Sequence, residues 1–441
     1  MTKPINFHEL SRLSSSDRSR LIHRAEADLS EIMPKVQRII EDVRAHGDTA
    51  LARLARELDH ADLNERELAA TKADFDAAEK SLEPELLEAM QFAANSIRRF
   101  HEDQMPGAMW LHEIRPGAFV GDRIRPIPSV ACYVPRGKGA FPSVALMTTI
   151  PAKVAKVADV AILTPPGNDG KIDAATLVAA RLAGVDRVYK AGGAQAVAAA
   201  AYGTRTIPKF AKLLGPGSPW VSAAKRLLAH LIDTGTPAGP SELIVLADET
   251  ADGRIAGLDL LIEAEHGADS SAYLLTWSRA VAESAMQAIP EYWKKMGPQR
   301  VAFSSAVLSG PVGGILLARD MEQAIEFVND YAPEHLEILS KEPFQYLGRI
   351  ENAGEILLGA HTPVTLGNYV LGPNHVLPTN GWARTASPLS VFDFLKRTSL
   401  AYVTSTGYAE VARYARTLAR YEGFDAHANA LSPIRDAILR G

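Results

Sequence analysis

The segment VAILTPPG at residues 160–167 decides the fold, because it joins a short apolar run to an abrupt turn. The run is rich in branched apolar residues and stops at Pro-Pro-Gly, which predicts a buried strand. Similar runs recur along the chain, and Ala-rich stretches with helical character lie between them. Strands are predicted at 130–134, 160–164, 188–189, 243–246 and 272–276, and helices at 142–157, 174–184, 196–202 and 257–266.

Strands that alternate with helices in this way predict parallel βαβ units. The alternation resumes after Pro240, so the chain carries two stretches of this texture. We therefore predict an α/β protein with two Rossmann-like domains built on parallel-type sheets, together with a helical N-terminal segment and a C-terminal tail. The predicted division is 1–35 for the N-terminal segment, 36–126 with 242–380 for a discontinuous first Rossmann-like domain, 127–241 for the second, and 381–441 for the tail.

Both ends of the chain are predicted to be helical. Residues 1–105 show helical spacing of apolar side chains, with serines at 14–16 as a capping cluster and Pro34 in the first turn of a further helix. The tail from Arg384 is more polar, and its clearest helix is predicted at 408–422. Such tails often pack on a neighbouring subunit, so we expect this one to cross to a partner.

The composition is typical of a soluble globular protein with more than one domain. Of 441 residues, 47% are hydrophobic and 22% are charged, and the formal net charge is -5. This charge gives no reason to expect nucleic acid or an anionic membrane as partner. The only cysteine, Cys132, excludes an intrachain disulfide and a Cys-rich zinc site. The polar start lacks a signal-peptide core and no apolar stretch reaches the roughly 18 residues of a membrane span, so we expect a cytoplasmic protein.

Three glycine-rich turns lie where predicted strands end, at residues 192–195, 215–218 and 238–241. Glycine permits close backbone approach and a helix N-terminus attracts phosphate, so these turns are candidates for cofactor contacts as well as ordinary turns. The Gly-x-Gly-x-x-Gly dinucleotide fingerprint and the Gly-x-x-x-x-Gly-Lys-Ser/Thr phosphate loop are both absent from the sequence.

Glu334 and His335 lie side by side in the segment YAPEHL at residues 331–336. Pro333 suits a helix start, so we expect a helix on which the two side chains point about 100° apart. Such a pair can serve one pocket in two roles, with the carboxylate activating water and the imidazole taking a proton. An adjacent Glu-His is also typical of a solvated helix start, and these residues alone leave both interpretations open.

Glu263 and His266 are three residues apart, so they share one face of the helix predicted at 257–266. A carboxylate and an imidazole on one face make a half-site for zinc. His375 lies in a predicted loop and His427 near the C-terminus, and each is either a candidate ligand or an ordinary structural histidine.

Taken together, these segments resemble histidinol dehydrogenase, from about residue 20 to about residue 430. The resemblance rests on motifs that follow one another in the family's order. They include YVP at 133–135, TPPG at 164–167, GGAQA at 192–196, GPG at 215–217, AGPSE at 238–242, AEH at 264–266, APEHL at 332–336, NHVLPT at 374–379 and AH at 426–427.

The resemblance implies a dehydrogenase that depends on zinc (Zn2+) and NAD and forms a domain-crossing homodimer. Such enzymes oxidise a primary alcohol to a carboxylate through an enzyme-held aldehyde, using two NAD in turn. On the family's pattern, His335 corresponds to the general base of the alcohol step and Glu334 to the residue that activates water. This mechanism needs no nucleophilic cysteine, so Cys132 is expected to be a small core residue.

The same resemblance implies the other site residues. Contacts to NAD are expected from Tyr133, Gln195 and Ser218. The expected zinc ligands are Glu263, His266, Asn368 and His427. Contacts to the substrate are expected from Ser241, Glu263, His266, His335, Asn368, His375, Glu422 and His427, of which Glu422 and His427 would be supplied by the partner subunit.

The sequence departs from the family at two of the zinc positions. Where the family has Gln and Asp, this chain has Glu263 and Asn368, so a carboxylate and an amide have exchanged places. The formal charge of the ligand set is unchanged, and zinc is still expected to bind. An Asn in place of the Asp would attract a cationic substrate amine less strongly.

Further departures lie around the expected cofactor site. Ser218 replaces an Asn of the family, and Arg136 and Lys138 interrupt a glycine pair. A more basic mouth fits a different, anionic substrate, although neutral drift within a true histidinol dehydrogenase would explain the same changes.

Two classes of function stay open. One is a dehydrogenase for a small polar primary alcohol, with L-histidinol as the reference substrate and another alcohol, such as a sulfonated propanediol, as the alternative. The other is a non-catalytic ligand-binding relative, against which the intact Glu334–His335 pair argues.

Overall fold

The computed structural model describes residues 3–24, 29–136, 139–236 and 239–440. Its contacts divide the chain into two compact units. Unit 1 comprises Met1–Gln104 and Ile127–Phe394, and unit 2 comprises Met105–Pro126 and Leu395–Gly441. The predicted fold class is confirmed, since unit 1 is an α/β structure built on parallel sheets.

In the described part of the chain, the strands are β1 Phe7–Glu9, β2 Met109–Arg115, β3 Ala118–Pro126, β4 Ser129–Tyr133, β5 Asp159–Thr164, β6 Val188–Lys190, β7 Lys212–Leu214, β8 Glu242–Ala247, β9 Ser271–Thr276, β10 Gly313–Leu317, β11 His335–Leu339, β12 Glu355–Leu358 and β13 Leu395–Val403. The α-helices are α1 Ser15–Ile22, α2 Met33–Leu58, α3 Lys72–Ser81, α4 Pro84–Asp103, α5 Pro142–Val154, α6 Ala174–Ala183, α7 Gly193–Tyr202, α8 Pro219–Leu228, α9 Gly253–Ala264, α10 Arg279–Trp293, α11 Pro298–Leu308, α12 Met321–Tyr331, α13 Val364–Tyr369, α14 Ser405–Tyr421, α15 Asp425–Asn429 and α16 Pro433–Arg440. None of these helices is long and apolar enough to cross a membrane.

The larger sheet of unit 1 has six parallel strands in the order β1-β10-β9-β8-β11-β12. Its central strands β8 and β9 are buried at every position, because helices α9, α10 and α11 cover one face and α12 covers the other. Burial on both faces explains why these strands read as continuous apolar runs in the sequence. Where β8, β11 and β12 begin, His335 pairs in register with Leu243 on one side and Glu355 on the other.

The smaller sheet of unit 1 has four parallel strands in the order β6-β5-β4-β7. The segment VAILT is its strand β5, which ends at Thr164 as predicted. Helix α2 packs on α7 and α8, α3 packs on α6, and α4 packs on α5. These contacts attach α2, α3 and α4 to the four-stranded sheet, whereas the sequence prediction grouped 36–126 with 242–380. The sequence of a helix shows which face is apolar, but it does not show which sheet that face will cover.

The prediction that the two ends are helical is only partly right. Ser14 caps α1 and Pro34 lies in the first turn of α2, as expected. However, β1 joins the six-stranded sheet, and it is too short at three residues to show a periodic pattern. In unit 2, β13, β3 and β2 form an antiparallel sheet that the sequence did not predict. Strand β2 is exposed at every position, so its sequence lacks the alternation that marks a half-buried strand.

Candidate active site

The segment YAPEHL does not start a helix, and this expectation was wrong. Helix α12 ends at Tyr331, Ala332 takes a left-handed conformation with φ of 51°, and His335 begins β11. Pro333 stands just after the helix, where a proline prevents its continuation. Glu334 and His335 are both buried, and their side chains bond to different neighbours.

His335 is held by a carboxylate that the sequence analysis did not single out. Its Nδ1 atom lies 3.0 Å from Oε2 of Glu355, the residue opposite it on β12. Glu355 is packed against α13, where a Cβ on Gly367 would lie 2.7 Å from Oε1 of that carboxylate, so a larger residue there would have to displace the carboxylate. The ring therefore presents Nε2 to the rest of the site, 3.9 Å from Oε1 of Glu263.

The basicity of His335 is set by competing effects. Burial alone would lower the pKa of the ring, but the hydrogen bond to Glu355 and the surrounding negative charges raise the pKa of His335 to about 9. Those charges are the carboxylates of Glu263, Glu334 and Glu355. The site thus contains a strongly basic imidazole whose orientation is fixed through Nδ1.

Glu334 lies beside this imidazole, and its Oε2 accepts a hydrogen bond of 2.8 Å from the backbone N–H of Glu242. Burial raises the pKa of Glu334 well above its usual range, and the charges of Glu263 and Glu242 raise it further against the opposing effect of His335. A carboxylate of this kind is a stronger base towards water than an exposed Glu.

Glu263 is the centre of the site, and its side chain is 2% exposed. Asn368 Nδ2 donates to its Oε1 at 3.0 Å, and His266 Nε2 lies 3.4 Å from its Oε2. Burial would raise the pKa of Glu263, but the charges of His335 and His266 and hydrogen bonds from Asn368 and Ser241 lower it. His266 lies two residues beyond the end of α9 and still shares a face with Glu263, as the three-residue spacing predicted.

Two polar atoms near Glu263 are enclosed without a hydrogen-bond partner in the described part of the chain. They are Oδ1 of Asn368 and Nε2 of His375. His375 Nδ1 donates to the backbone carbonyl of Asn368 at 2.7 Å, which turns Nε2 inward, and burial lowers the pKa of that ring. Buried polar groups in native proteins are almost always paired, so these two atoms point to a bound ligand or ion.

The predicted zinc ligands divide between the two units. Glu263, His266 and Asn368 lie together in unit 1. His427 lies in α15 of unit 2 and Glu422 lies directly after α14, and both are exposed. Among the described residues, no group of three or more His, Cys, Asp or Glu side chains is arranged to hold a metal ion. The cluster around Glu263 includes an amide, which lies outside that set.

The predicted NAD residues lie at the carboxyl edge of the four-stranded sheet. Chain order reverses there between β4 and β7, which is where open α/β sheets bind ligands. Tyr133 ends β4, and its hydroxyl accepts a hydrogen bond of 3.0 Å from the N–H of Gly193 at the start of α7. A Cβ on Gly215, which has φ of 115°, would collide with the carbonyl of Tyr133, so the two strand ends approach closely only with glycine there.

The other two predicted NAD residues flank this contact. Gln195 lies in the first turn of α7 and is buried, with an Oε1 atom that has no partner among the described residues. Ser218 precedes α8 and is exposed. Arg136 donates to the carbonyl of Lys171 at 3.0 Å. Lys138, named above for the basic mouth, lies outside the described residues.

Two residues that hold the catalytic candidates in place were not singled out from the sequence. Glu242 and Glu355 are, like His335, the first residues of the neighbouring strands β8, β11 and β12. A titratable residue directly before an apolar run is a signal that could have found both, since the starts of parallel strands lie at one edge of a sheet. Arg24, which pairs with Glu242, carries no comparable signal.

Comparison with known proteins identifies the family. The family model for histidinol dehydrogenase matches residues 22–434. A relative from Mesorhizobium japonicum, named histidinol dehydrogenase homolog 2, is 61% identical over 437 residues, which is 99% of each chain. A histidinol dehydrogenase from Synechocystis sp. is 49% identical over 423 residues, covering 96% of this chain and 97% of that one. The crystal structure of histidinol dehydrogenase from Elizabethkingia anophelis superimposes with a TM-score of 0.93 at 32% identity and 99% coverage of both chains. The chain therefore belongs to the histidinol dehydrogenase family.

Proposed function

We propose that this protein is a zinc-dependent, NAD-linked dehydrogenase that oxidises a small polar primary alcohol through an aldehyde to a carboxylate. The observation that carries the proposal is the arrangement of His335. Its Nδ1 is held by Glu355 and its Nε2 faces the Glu263 cluster, which is the geometry of a general base with an orienting carboxylate.

The donor atoms around Glu263 suit zinc. A carboxylate oxygen of Glu263, Nε2 of His266 and the unpaired Oδ1 of Asn368 are ligand types that zinc accepts, and His427 would complete a set of four. The edge of the four-stranded sheet likewise suits NAD. The hydroxyl of Tyr133 and the unpaired Oε1 of Gln195 would be polar contacts, and Ser218, which precedes α8, is the third residue proposed to contact NAD. When bound, zinc would polarise the alcohol oxygen and NAD would accept a hydride in each oxidation.

In the first oxidation, the neutral form of His335, which becomes the major form above about pH 9, takes the hydroxyl proton of the alcohol at Nε2. With NAD bound, the alcohol would lose this proton and one hydride and so become the aldehyde. The neighbouring carboxylates stabilise the imidazolium that forms, which is why their positions support this role.

In the second oxidation, Glu334 takes a proton from the water that attacks the aldehyde. With a second NAD bound, the aldehyde and the water would give the carboxylate with loss of one hydride and two protons. The hydrogen bond from the Glu242 N–H leaves the other oxygen of Glu334 for that water. Two separate bases therefore serve the two steps.

The substrate is either L-histidinol or another small alcohol. The relative at 61% identity is named a homolog of histidinol dehydrogenase, whereas the one at 49% is named histidinol dehydrogenase itself. Together with Asn368 in place of an acidic ligand, this favours a paralogue whose substrate is less cationic than histidinol, such as a sulfonated propanediol. A non-catalytic ligand-binding relative is the remaining alternative, and the ordered contacts of both Glu334 and His335 count against it.

The test is NADH production from a panel that contains L-histidinol and 2,3-dihydroxypropane-1-sulfonate, with added zinc. We expect turnover of one alcohol, and His335→Ala should abolish it while the far-UV circular dichroism spectrum is unchanged. Chelation should remove the activity without unfolding the protein, and zinc should restore it. Tight NAD binding without turnover of any alcohol would instead support the ligand-binding relative.

We also propose a homodimer whose active site is shared between subunits. The support is the surface of unit 2, where large apolar side chains are exposed to solvent. They include Trp110, Leu111, Ile114, Tyr402, Leu418, Ile434 and Ile438. Monomeric proteins seldom expose so many, and a second copy of the chain would cover them while supplying its Glu422 and His427 to the site.

Complementation tests the shared site. Alone, His335→Ala and His427→Ala should both be inactive. After the two are unfolded and refolded together, random pairing should restore about a quarter of the wild-type activity, because one site of each mixed dimer carries neither change. No recovery in a mixture that contains mixed dimers would contradict sharing. Leu418→Glu should yield monomers in light scattering, whereas Phe344→Glu, an equally exposed apolar position in unit 1, should not.

A further inference from the structure

Arg24, at the end of the N-terminal segment, is buried against the six-stranded sheet with 9% of its side chain exposed. Two nitrogens of its guanidinium donate hydrogen bonds to the carboxylate of Glu242. Nε donates to Oε1 at 2.8 Å, and Nη2 donates to Oε2. A two-pronged contact of this kind requires the planar fork of an arginine. The carboxylate of Glu242 is itself 2% exposed, so Arg24 supplies the charge that its burial requires.

The same guanidinium holds the bend that leads to Glu334. Nη1 donates to the carbonyl of Tyr331 at 2.8 Å, Nη2 lies 3.4 Å from the carbonyl of Ala332, and the group stacks 3.6 Å from the centroid of the Tyr331 ring. These carbonyls lie where α12 ends and have no partner within the helix. Ala332 is left-handed, a conformation that is unfavourable for a residue with a Cβ.

Glu242 links this contact to the catalytic carboxylate. Its backbone N–H donates to Oε2 of Glu334, and its side chain accepts from the N–H of Asn380 at 2.8 Å as well as from Arg24. Arg24 therefore fixes Glu334 from both sides, through the peptide bend before it and through the residue that hydrogen-bonds to it. Without Arg24, Glu242 would place an unpaired negative charge beside Glu334.

We propose that Arg24 is a positioning residue for Glu334, which keeps this carboxylate oriented for the water that attacks the aldehyde. The proposal rests on the role given to Glu334 above. It assigns to the N-terminal segment a part in the second oxidation and none in the first, since the contacts of His335 with Glu355 and Glu263 do not involve Arg24.

The test compares the two oxidations in Arg24→Met, Arg24→Lys and the double variant Arg24→Met with Glu242→Gln. The alcohol that wild type turns over and its aldehyde are supplied separately, and NADH is followed for each. We expect Arg24→Met to lower kcat for the aldehyde roughly 10- to 100-fold, as changes to supporting residues often do, with a much smaller effect on the alcohol step. Lysine should restore part of the loss, and Glu242→Gln should restore part by removing the unpaired charge.

Arg18→Met is the matched control. Arg18 lies on α1 and its guanidinium pairs with Glu326 and Asp330 of α12, so this variant removes an ion pair to the same helix without touching the bend. It should leave both oxidations unchanged. Equal slowing of both steps in Arg24→Met would reduce Arg24 to a structural residue and overturn the proposal.

A measurement that needs no turnover completes the test. Hydrogen exchange of the peptide covering residues 331–336 should become faster in Arg24→Met and stay unchanged in Arg18→Met, and unchanged exchange in both would also overturn the proposal. Glu334→Gln separates this proposal from the proposed function. If it leaves aldehyde oxidation intact, the role of Glu334 is wrong, whereas if it slows that step and Arg24→Met does not, only the inference about Arg24 fails.

Discussion

Asn368 donates a hydrogen bond of 3.0 Å from Nδ2 to Oε1 of Glu263. The amide and the carboxylate are thus paired directly, at the two positions where this chain differs from the zinc ligands expected for its family. The two residue types changed together for a physical reason. One amide and one carboxylate keep the hydrogen bond whichever position carries the amide, whereas two carboxylates at this distance would repel each other.

This pairing predicts a non-additive result for the family ligand set. The double variant Glu263→Gln with Asn368→Asp restores an amide–carboxylate pair of reversed direction. We expect it to raise kcat/KM for L-histidinol about tenfold or more, because a carboxylate at position 368 attracts the substrate amine. Asn368→Asp alone should lower zinc affinity and activity. A flat response of histidinol oxidation to the double change would mean that specificity is set elsewhere.

The contact between His335 and Glu355 predicts a loss in the alcohol step. Glu355→Gln keeps the size of the side chain but removes the charge that raises the pKa of His335, so the ring becomes a weaker base. At about pH 10, where the ring is mostly neutral with or without Glu355, alcohol oxidation in single-turnover experiments should fall by roughly 10²-fold, the usual scale for impaired acid–base catalysis. NAD binding should not change, and Glu351→Gln, an exposed position in the loop before β12, should behave as wild type.

The buried carboxyl groups of Glu337 and Asp259 predict a pH-dependent stability. Burial raises the pKa of Glu337 well above its usual range, the charge of Asp259 raises it further, and burial raises the pKa of Asp259. The folded protein therefore holds protons that the unfolded chain releases above about pH 4. The free energy of unfolding falls as pH rises from there to the raised pKa values of the folded protein.

Glu337→Gln removes one titrating group from this pair. In urea unfolding at pH 8, the variant should be more stable than wild type by about 1 to 3 kcal/mol. In wild type, folding at this pH requires Glu337 either to bury a negative charge or to take up a proton, and Gln requires neither. At pH 5 the difference should shrink. Glu88→Gln, an exposed position on α4, should keep the wild-type pH dependence, and a pH-independent effect of Glu337→Gln would show that the pair does not titrate.

Cys132 is expected to be chemically silent in the folded protein. It is fully buried beside Thr148, and burial raises the pKa of its thiol to about 12. At pH 8 the thiol stays almost entirely protonated, so a thiol reagent should label it only after unfolding. Cys132→Ala should keep the wild-type turnover and lower the free energy of unfolding by about 1 kcal/mol. Rapid labelling of the native protein would contradict the buried position.

The fold was largely predictable because its signals are local. Continuous apolar runs such as β5 and β8 are buried on both faces, and their sequence shows it directly. The antiparallel sheet of unit 2 was not predicted because β2 buries neither face. Strand β1 was not predicted because three residues are too few to show the two-residue alternation of a strand. Pro333 was read as a helix start, yet it follows the end of α12, since a proline suits either position and only the chain around it decides.

The chemistry of the site was predictable as residue types, through motifs shared with a family. Glu263 and His266 are three apart on the chain, and this spacing predicted their contact, although α9 ends before His266. The partners of His335 and Glu334 did not follow, because Glu355 and Glu242 reach them across neighbouring strands and Arg24 reaches Glu242 from the far N-terminus. Helix and strand periods relate residues within about one turn or one strand, whereas strand order and register here relate residues 20 and 92 positions apart. The sequence by itself therefore determined the α/β class and the residue types proposed to react, and the tertiary structure decided which groups meet and which side chains hold them in place.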